Sequence, residues 1–197
     1  MRSKSTNAAN LNQPSNIIHL AQFGSSSVQL LPEKAIFLPH SKSLLLSDLH
    51  LGKAETFQQA GIPIPQQVNQ DNMQRLQTLS DRYNPQKIFI LGDLFHGRSG
   101  LVDEVIHTWI TGLETLCSDV AVIIGNHDRR LFDRVKSTQF TWIDRSIQVE
   151  NFILSHEPIA GAGTQTWNIC GHIHPCVKLR SRLDTLRSVS YTHLRAH

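Results

Sequence analysis

"LLLSDLHLGK" (residues 44–53) runs three leucines directly into Asp48 and His50, a carboxylate and an imidazole two places apart. Such groups are costly at the end of an apolar run unless something there needs them. The design recurs along the chain: Asp93 closes "IFILGD", Asn126 follows "VAVIIG", His156 closes "FILSH", and His172 and His174 follow "WNIC". Strand-length runs thus end repeatedly in residue types that ligate metal ions.

Working outward, "VQLL", "AIFL", "SLLLSD", "KIFILGD", "VAVIIGN", "FILSH" and "WNICGH" are short runs rich in Val, Ile, Leu and Phe. Several are apolar on successive residues, as in strands covered on both faces. Between them, residues 66–83 carry Val68, Met73, Leu76, Leu79 and Tyr83 near helical spacing, and residues 101–117 carry Leu101, Val105, Ile106, Trp109, Leu113 and Leu116. Strands alternating with helices predict an α/β domain. In open α/β sheets the ligand site lies outside the carboxyl ends of the strands, so distant segments would deliver their polar ends to one place. On an extended segment, side chains two apart point the same way, which would pair Asp48 with His50 and His172 with His174. Gly92, Gly125 and Gly171 precede three of the candidate ligands, where a sharp turn favours φ freedom and no side chain.

Composition sets the outer bounds. With 197 residues, 40% hydrophobic and 18% charged, the chain reads as one soluble globular domain, and its net charge of +3 tolerates an anionic partner without announcing one. No apolar run approaches the roughly 20 residues of a membrane span, and no signal-peptide plan opens the sequence. Cys117, Cys170 and Cys176 cannot all pair within one chain, which favours a reducing, cytoplasmic setting. "CGHIHPC" does not read as a zinc clasp, because Cys170 and Cys176 lie ~20 Å apart on an extended segment. Residues 1–25 are polar and predict a disordered segment, residues 26–185 form the domain, and residues 186–197 read as an atypical tail, as of a truncated chain.

Each motif alone is as well explained by caps, turns and surface hydrogen bonds. Together and in order, they are not. The set "SDLHLGK", "GDLFH", "GNHD", "SH" and "GHIHP" resembles the calcineurin-like metallophosphoesterase superfamily from about residue 26 to 182. That resemblance implies an αββα sandwich, two packed mixed β-sheets flanked by helices, with two metals at the strand ends. It assigns Asp48, His50, Asp93 and His174 to one metal, and Asp93, Asn126, His156 and His172 to the other. His127 would be the catalytic imidazole and Asp128 the partner that fixes its tautomer. The chemistry agrees: Asp93 can bridge, and a hydroxide shared between two metals can attack phosphorus in line. His127 can protonate the leaving oxygen. Two aspartates against two divalent cations leave about two positive charges for a phosphate ester. Mixed imidazole and oxygen ligation favours manganese, with iron and zinc as alternatives.

"DLHLGKAETFQQAGIPIP", His96 of "GDLFH", "GNHDRR", "LSHEP" and "ICGHIHPCVKLR" resemble, more narrowly, the bacterial ligase-associated DNA damage response endonucleases, the PdeM type. This implies a DNA-cutting phosphodiesterase of DNA repair, associated with a DNA ligase and a helicase. A phosphodiesterase or phosphatase acting on a small nucleotide, such as a cyclic nucleotide, is the alternative. Lys53, Arg98, Arg129 and Arg130 are candidate phosphate contacts, or equally solvated loop charges. His40, His107, His193 and His197 read as residues without a role.

Overall fold

The apolar runs of the sequence become strands whose successive residues face two different cores. β1 (His19–Phe23), β2 (Ser26–Leu31), β3 (Ala35–Leu38), β4 (Ser43–Leu46), β5 (Lys87–Ile90), β6 (Val120–Ile123) and β7 (Thr141–Ile143) form one sheet in chain order. Its first four strands are antiparallel and β4 to β7 are parallel. A second sheet has the order β13 (His193–Arg195), β10 (Trp167–Cys170), β9 (Phe152–Ser155), β8 (Ser146–Val149), and β11 (Cys176–Arg180) pairs with β12 (Thr185–Val189) as a hairpin. The helices are α1 (Lys53–Gln59), α2 (Gln67–Tyr83), α3 (Asp103–Leu116) and α4 (Phe132–Val135). This computed structural model describes residues 18–59, 61–62, 67–96, 103–117, 119–136, 138–160, 165–173, 176–180, 185–189 and 193–195, with backbone only for 67–70, 176–180, 185–189 and 193–195.

Alternation along the parallel strands explains their unbroken hydrophobicity. Leu44, Leu46, Ile88, Ile90, Val120 and Val122 face a core shared with Leu76 and Leu79 of α2 and Ile106, Ile110 and Leu113 of α3. The residues between them, Leu45, Phe89, Leu91, Ala121 and Ile123, face Phe152, Leu154 and Ile169 of the second sheet. A strand covered by helices on one side and a sheet on the other has no solvent face to keep polar. The result is the expected α/β architecture of two packed mixed sheets with flanking helices.

Helices α2 and α3 fall where the periodicity places them, while β1, β7, β8, β11, β12, β13, α1 and α4 correspond to none of the runs or periodic stretches read from the sequence. Of the polar segment 1–25, the described part from Ile18 onward holds β1, whose five residues pair with β2 from His19↔Leu30 to Phe23↔Ser26. The tail after residue 185 likewise carries strand: β13 pairs antiparallel with β10. Ring packing accounts for the first case. Phe23 stands 5.8 Å from Phe152 and 5.1 Å from Trp167, so one aromatic anchors a strand whose other residues are mostly exposed. Residues 1–17, Arg98 and His174 lie outside the described residues. Among the described residues, no helix is long and apolar enough to cross a membrane.

Candidate metal centre

β4, β5 and β6 run parallel, so the segments that leave their carboxyl ends emerge side by side. Beyond β4 and β5 the two loops stay joined by backbone hydrogen bonds: Asp48 N to Gly92 O (3.0 Å), His50 N to Asp93 O (3.0 Å) and Leu51 N to Leu94 O (2.8 Å). Along "DLHL", Leu49 and Leu51 are buried in the helix-side core while Asp48 and His50 turn toward the site. The pairing of residues two apart therefore holds, but not through an extended strand. β4 ends at Leu46, and Asp48, His50, Asp93 and His172 all have left-handed φ, at 52°, 47°, 52° and 62°. Each such non-glycine residue costs on the order of 1–2 kcal/mol, which the hydrogen-bonded loops offset.

Asp93 sits at the centre of the cluster. Ligand atoms of His50, Asp93 and His127 lie within 4.8 Å of one another, and those of Asp93, His156 and His172 do so separately. His156 Nε2 is 3.6 Å from Asp93 Oδ1, 3.0 Å from Asn126 Oδ1 and 3.2 Å from His172 Nδ1. Asp48 joins from the far side, where its Oδ1 accepts from the backbone N–H of His172 at 3.3 Å. Six of the seven sequence-predicted ligands are thus brought together, and the seventh, His174, is not described.

The donor set fits a cation. His156 Nδ1–H donates to the carbonyl oxygen of Leu91 at 3.0 Å, so Nε2 of the neutral ring carries a lone pair. That lone pair faces the Asn126 side-chain oxygen, the Asp93 carboxylate and His172 Nδ1, so four groups able to ligate a cation converge on one point. A backbone carbonyl behind the imidazole is the usual support of a metal-bound histidine. Burial, opposed by Asp93, pushes His50 down to about 4, which keeps it in the neutral form that ligates. Burial, then the neighbouring His127 and Lys53, also lowers His96.

Glycine supplies the room. An added Cβ at Gly92 would overlap the His156 ring, one at Gly125 would overlap Asp93, and one at Gly171 would stand 2.6 Å from Leu91 O and 3.0 Å from Asp48 Oδ2. Only Gly92 also needs its conformational freedom, at φ +82°.

Asp128 requires a correction. It is fully buried, and its carboxylate accepts from the backbone N–H of Phe95 (3.1 Å) and of Gly125 (3.0 Å) rather than from the neighbouring imidazole. In the 3-10 turn Asp128–Arg130 its side chain turns inward and ties the "GDLFH" and "GNHD" loops together. Burial raises its pKa and the amides oppose that rise. His127 Nδ1 is buried without a hydrogen-bond partner, and the ring is held by stacking: 5.5 Å from His96, which is 5.8 Å from Phe57 of α1. Phe57 gives no sequence signal, because nothing in "KAETFQQ" marks which face meets the site.

Among the proposed phosphate contacts, Lys53 stands at the start of α1, and its charge acts on His50 and His96. Arg129 lies on the other side, in a groove with Asn126 and His156, and pairs with Asp144 at 3.0 Å. Arg130 is exposed.

Comparison with known proteins adds three findings. The family model described as calcineurin-like phosphoesterase matches residues 41–195. A solved structure, that of the Pseudomonas putida nuclease MPE, superposes with a TM-score of 0.71 and 26% sequence identity over 90% of this chain and 86% of that one. No curated protein matches significantly.

Proposed function

The chain belongs to the calcineurin-like phosphoesterase family and is a metal-dependent hydrolase, and from that premise we propose that it is a dinuclear phosphodiesterase cutting DNA. The observation that carries the reading is the position of Asp93, common to two separate groups of ligand atoms, as the bridge of a two-metal centre requires. Asp48, His50, Asp93 and His174 would hold one cation, and Asp93, Asn126, His156 and His172 the other. Manganese suits this mixture of imidazole and oxygen donors. When bound, the cations supply Lewis-acid activation of water and stabilisation of charge on the phosphoryl oxygens.

The chain's own groups do the rest. His127, partly exposed beside Asp93, donates a proton to the leaving oxygen. Asp128 sets the loop from which His127 projects. Lys53, Arg129 and Arg130 contact phosphates on either side. The likeness to a nuclease supports a nucleic-acid substrate. The narrower sequence resemblance alone suggests the rest of the reading, a role in DNA repair beside a DNA ligase and a helicase in the cytoplasm.

The test compares bis(p-nitrophenyl) phosphate, p-nitrophenyl phosphate, cyclic AMP and a DNA oligonucleotide with manganese present. We expect the diester and DNA to be cleaved in preference to the monoester. Rapid hydrolysis of cyclic AMP with no cut in DNA would overturn the nuclease reading in favour of a small-nucleotide diesterase.

A further inference from the structure

β7 is the fourth parallel strand of the large sheet, paired with β6 from Ala121↔Thr141 to Ile123↔Ile143. Its carboxyl end therefore opens on the same edge as Asn126, and Ile124 N donates to Ile143 O at 2.8 Å to hold it there. The next residues, Asp144 and Arg145, span the gap to β8 of the second sheet. They form one wall of a groove of about 610 Å³, a size typical of ligand pockets, with Asn126 and His156 at its metal end and Arg129 and Glu157 also lining it.

The two arginines are held differently. Arg129 is anchored by its backbone N–H on Gly125 O (3.2 Å), and its guanidinium donates to Asp144 Oδ1 (3.0 Å) and Asp144 O (3.3 Å). A guanidinium has five N–H donors, so both bonds leave it able to bind another acceptor. Arg145 is only 3.8 Å from Asp144 Oδ2 at its Nε, with its side chain 89% exposed. Exposed ion pairs of this kind add little to stability. Asp144 thus stands between two arginines at the end of a groove that begins at the metal ligands.

We propose that this groove is a phosphate subsite for the nucleotide next to the cleaved bond, with Arg145 and Arg129 as its donors and Asp144 as the carboxylate that the phosphate displaces. The proposal rests on the nuclease reading and deepens it, because it requires a substrate with more than one phosphate. A cyclic nucleotide places its one phosphorus at the metals and offers the arginines nothing. Arg129 and Arg145 against Asp144 and Glu157 leave the groove close to neutral, so it selects a phosphate at a fixed distance rather than gathering polyanions at large.

The experiment measures kcat/KM with manganese for a short single-stranded DNA oligonucleotide and for bis(p-nitrophenyl) phosphate, over a range of NaCl concentrations, in wild type, Arg145→Ala and Asp144→Asn. Arg145→Ala should lower the oligonucleotide-to-diester ratio about tenfold, as for loss of a charged hydrogen bond. Its log–log salt slope on the oligonucleotide should be shallower by roughly 0.7. Asp144→Asn, which removes the competing carboxylate, should raise the ratio about threefold. A ratio unmoved in Arg145→Ala, or moved the same way by both substitutions, overturns the subsite while leaving the nuclease intact. If wild type hydrolyses the small diester but never the oligonucleotide, the nuclease reading fails and the subsite fails with it.

Discussion

The imidazole of His127 has Nδ1 buried without a hydrogen-bond partner and Nε2 4.0 Å from Asp93 Oδ2. By distance alone it could be a ligand, since it closes a group with His50 and Asp93. Its main chain is tied to the same carboxylate, His127 N donating to Asp93 Oδ1 at 3.0 Å, and the proposed role leaves the ring itself free for the leaving oxygen. Stacking on His96 then fixes the plane of a ring that remains able to deliver a proton. His127→Asn should lower kcat by about 10²–10⁴-fold with metal content intact, while Asp93→Asn should lose activity and metal together. Metal analysis of the two purified variants decides this, and equal loss in both would make His127 a ligand. The same residues show a limit of sequence. "GNHD" reveals that an acid follows the imidazole, but not that the acid turns into the protein to bind two backbone amides.

Loops rather than strands carry the candidate ligands, and Gly92 is where that choice is most exposed. At φ +82°, with the His156 ring in the space a Cβ would fill, Gly92→Ala combines backbone strain with a clash. The expected loss is at least about 2 kcal/mol in urea unfolding, along with reduced metal content because His156 is pushed off its Leu91 support. Wild-type stability and metal content in that variant would show that the loop has another conformation available. The strands that position these loops were legible because β4, β5 and β6 are covered on both faces and read as unbroken apolar runs, while β9 and β10 are short, mostly buried stretches, "FILS" and "WNIC", that run into a histidine or a Gly-His pair. β7 and β8 were not legible: β7 has three residues that are exposed or only partly buried, and β8 alternates polar and apolar over just four residues, too short a run to mark a strand. That omission hid Asp144 and Arg145. The left-handed turns at Asp48 and His50 were hidden for a different reason, since they depend on hydrogen bonds to Gly92 and Asp93 some forty residues away in sequence.

At the scale of the molecule, the candidate ligands come from two sheets. Asp48, His50, Asp93 and Asn126 follow strands of the large sheet, His156 and His172 follow strands of the small one, and an apolar layer of residues such as Leu45, Phe89, Phe152 and Ile169 lies between. Without cations, the acceptors gathered at the edge of that layer oppose its closure. With cations held as proposed, the same groups would become a clamp across it. Metal that binds only the folded chain stabilises it by about 3 kcal/mol at roughly a hundredfold excess over Kd. We therefore expect a chelator to lower the melting temperature and added manganese to restore it, with the increase continuing as manganese concentration rises. Because the ligands come from both sheets, the protein should still unfold in one transition rather than lose the small sheet first. Asp93→Asn supplies the control, since a chain without its bridge should melt nearly alike with and without manganese. Calorimetry on both proteins measures this. Melting of the wild type that is indifferent to the chelator, or an Asp93→Asn protein that responds as strongly as wild type, would mean that the ions do not tie the two sheets through this site.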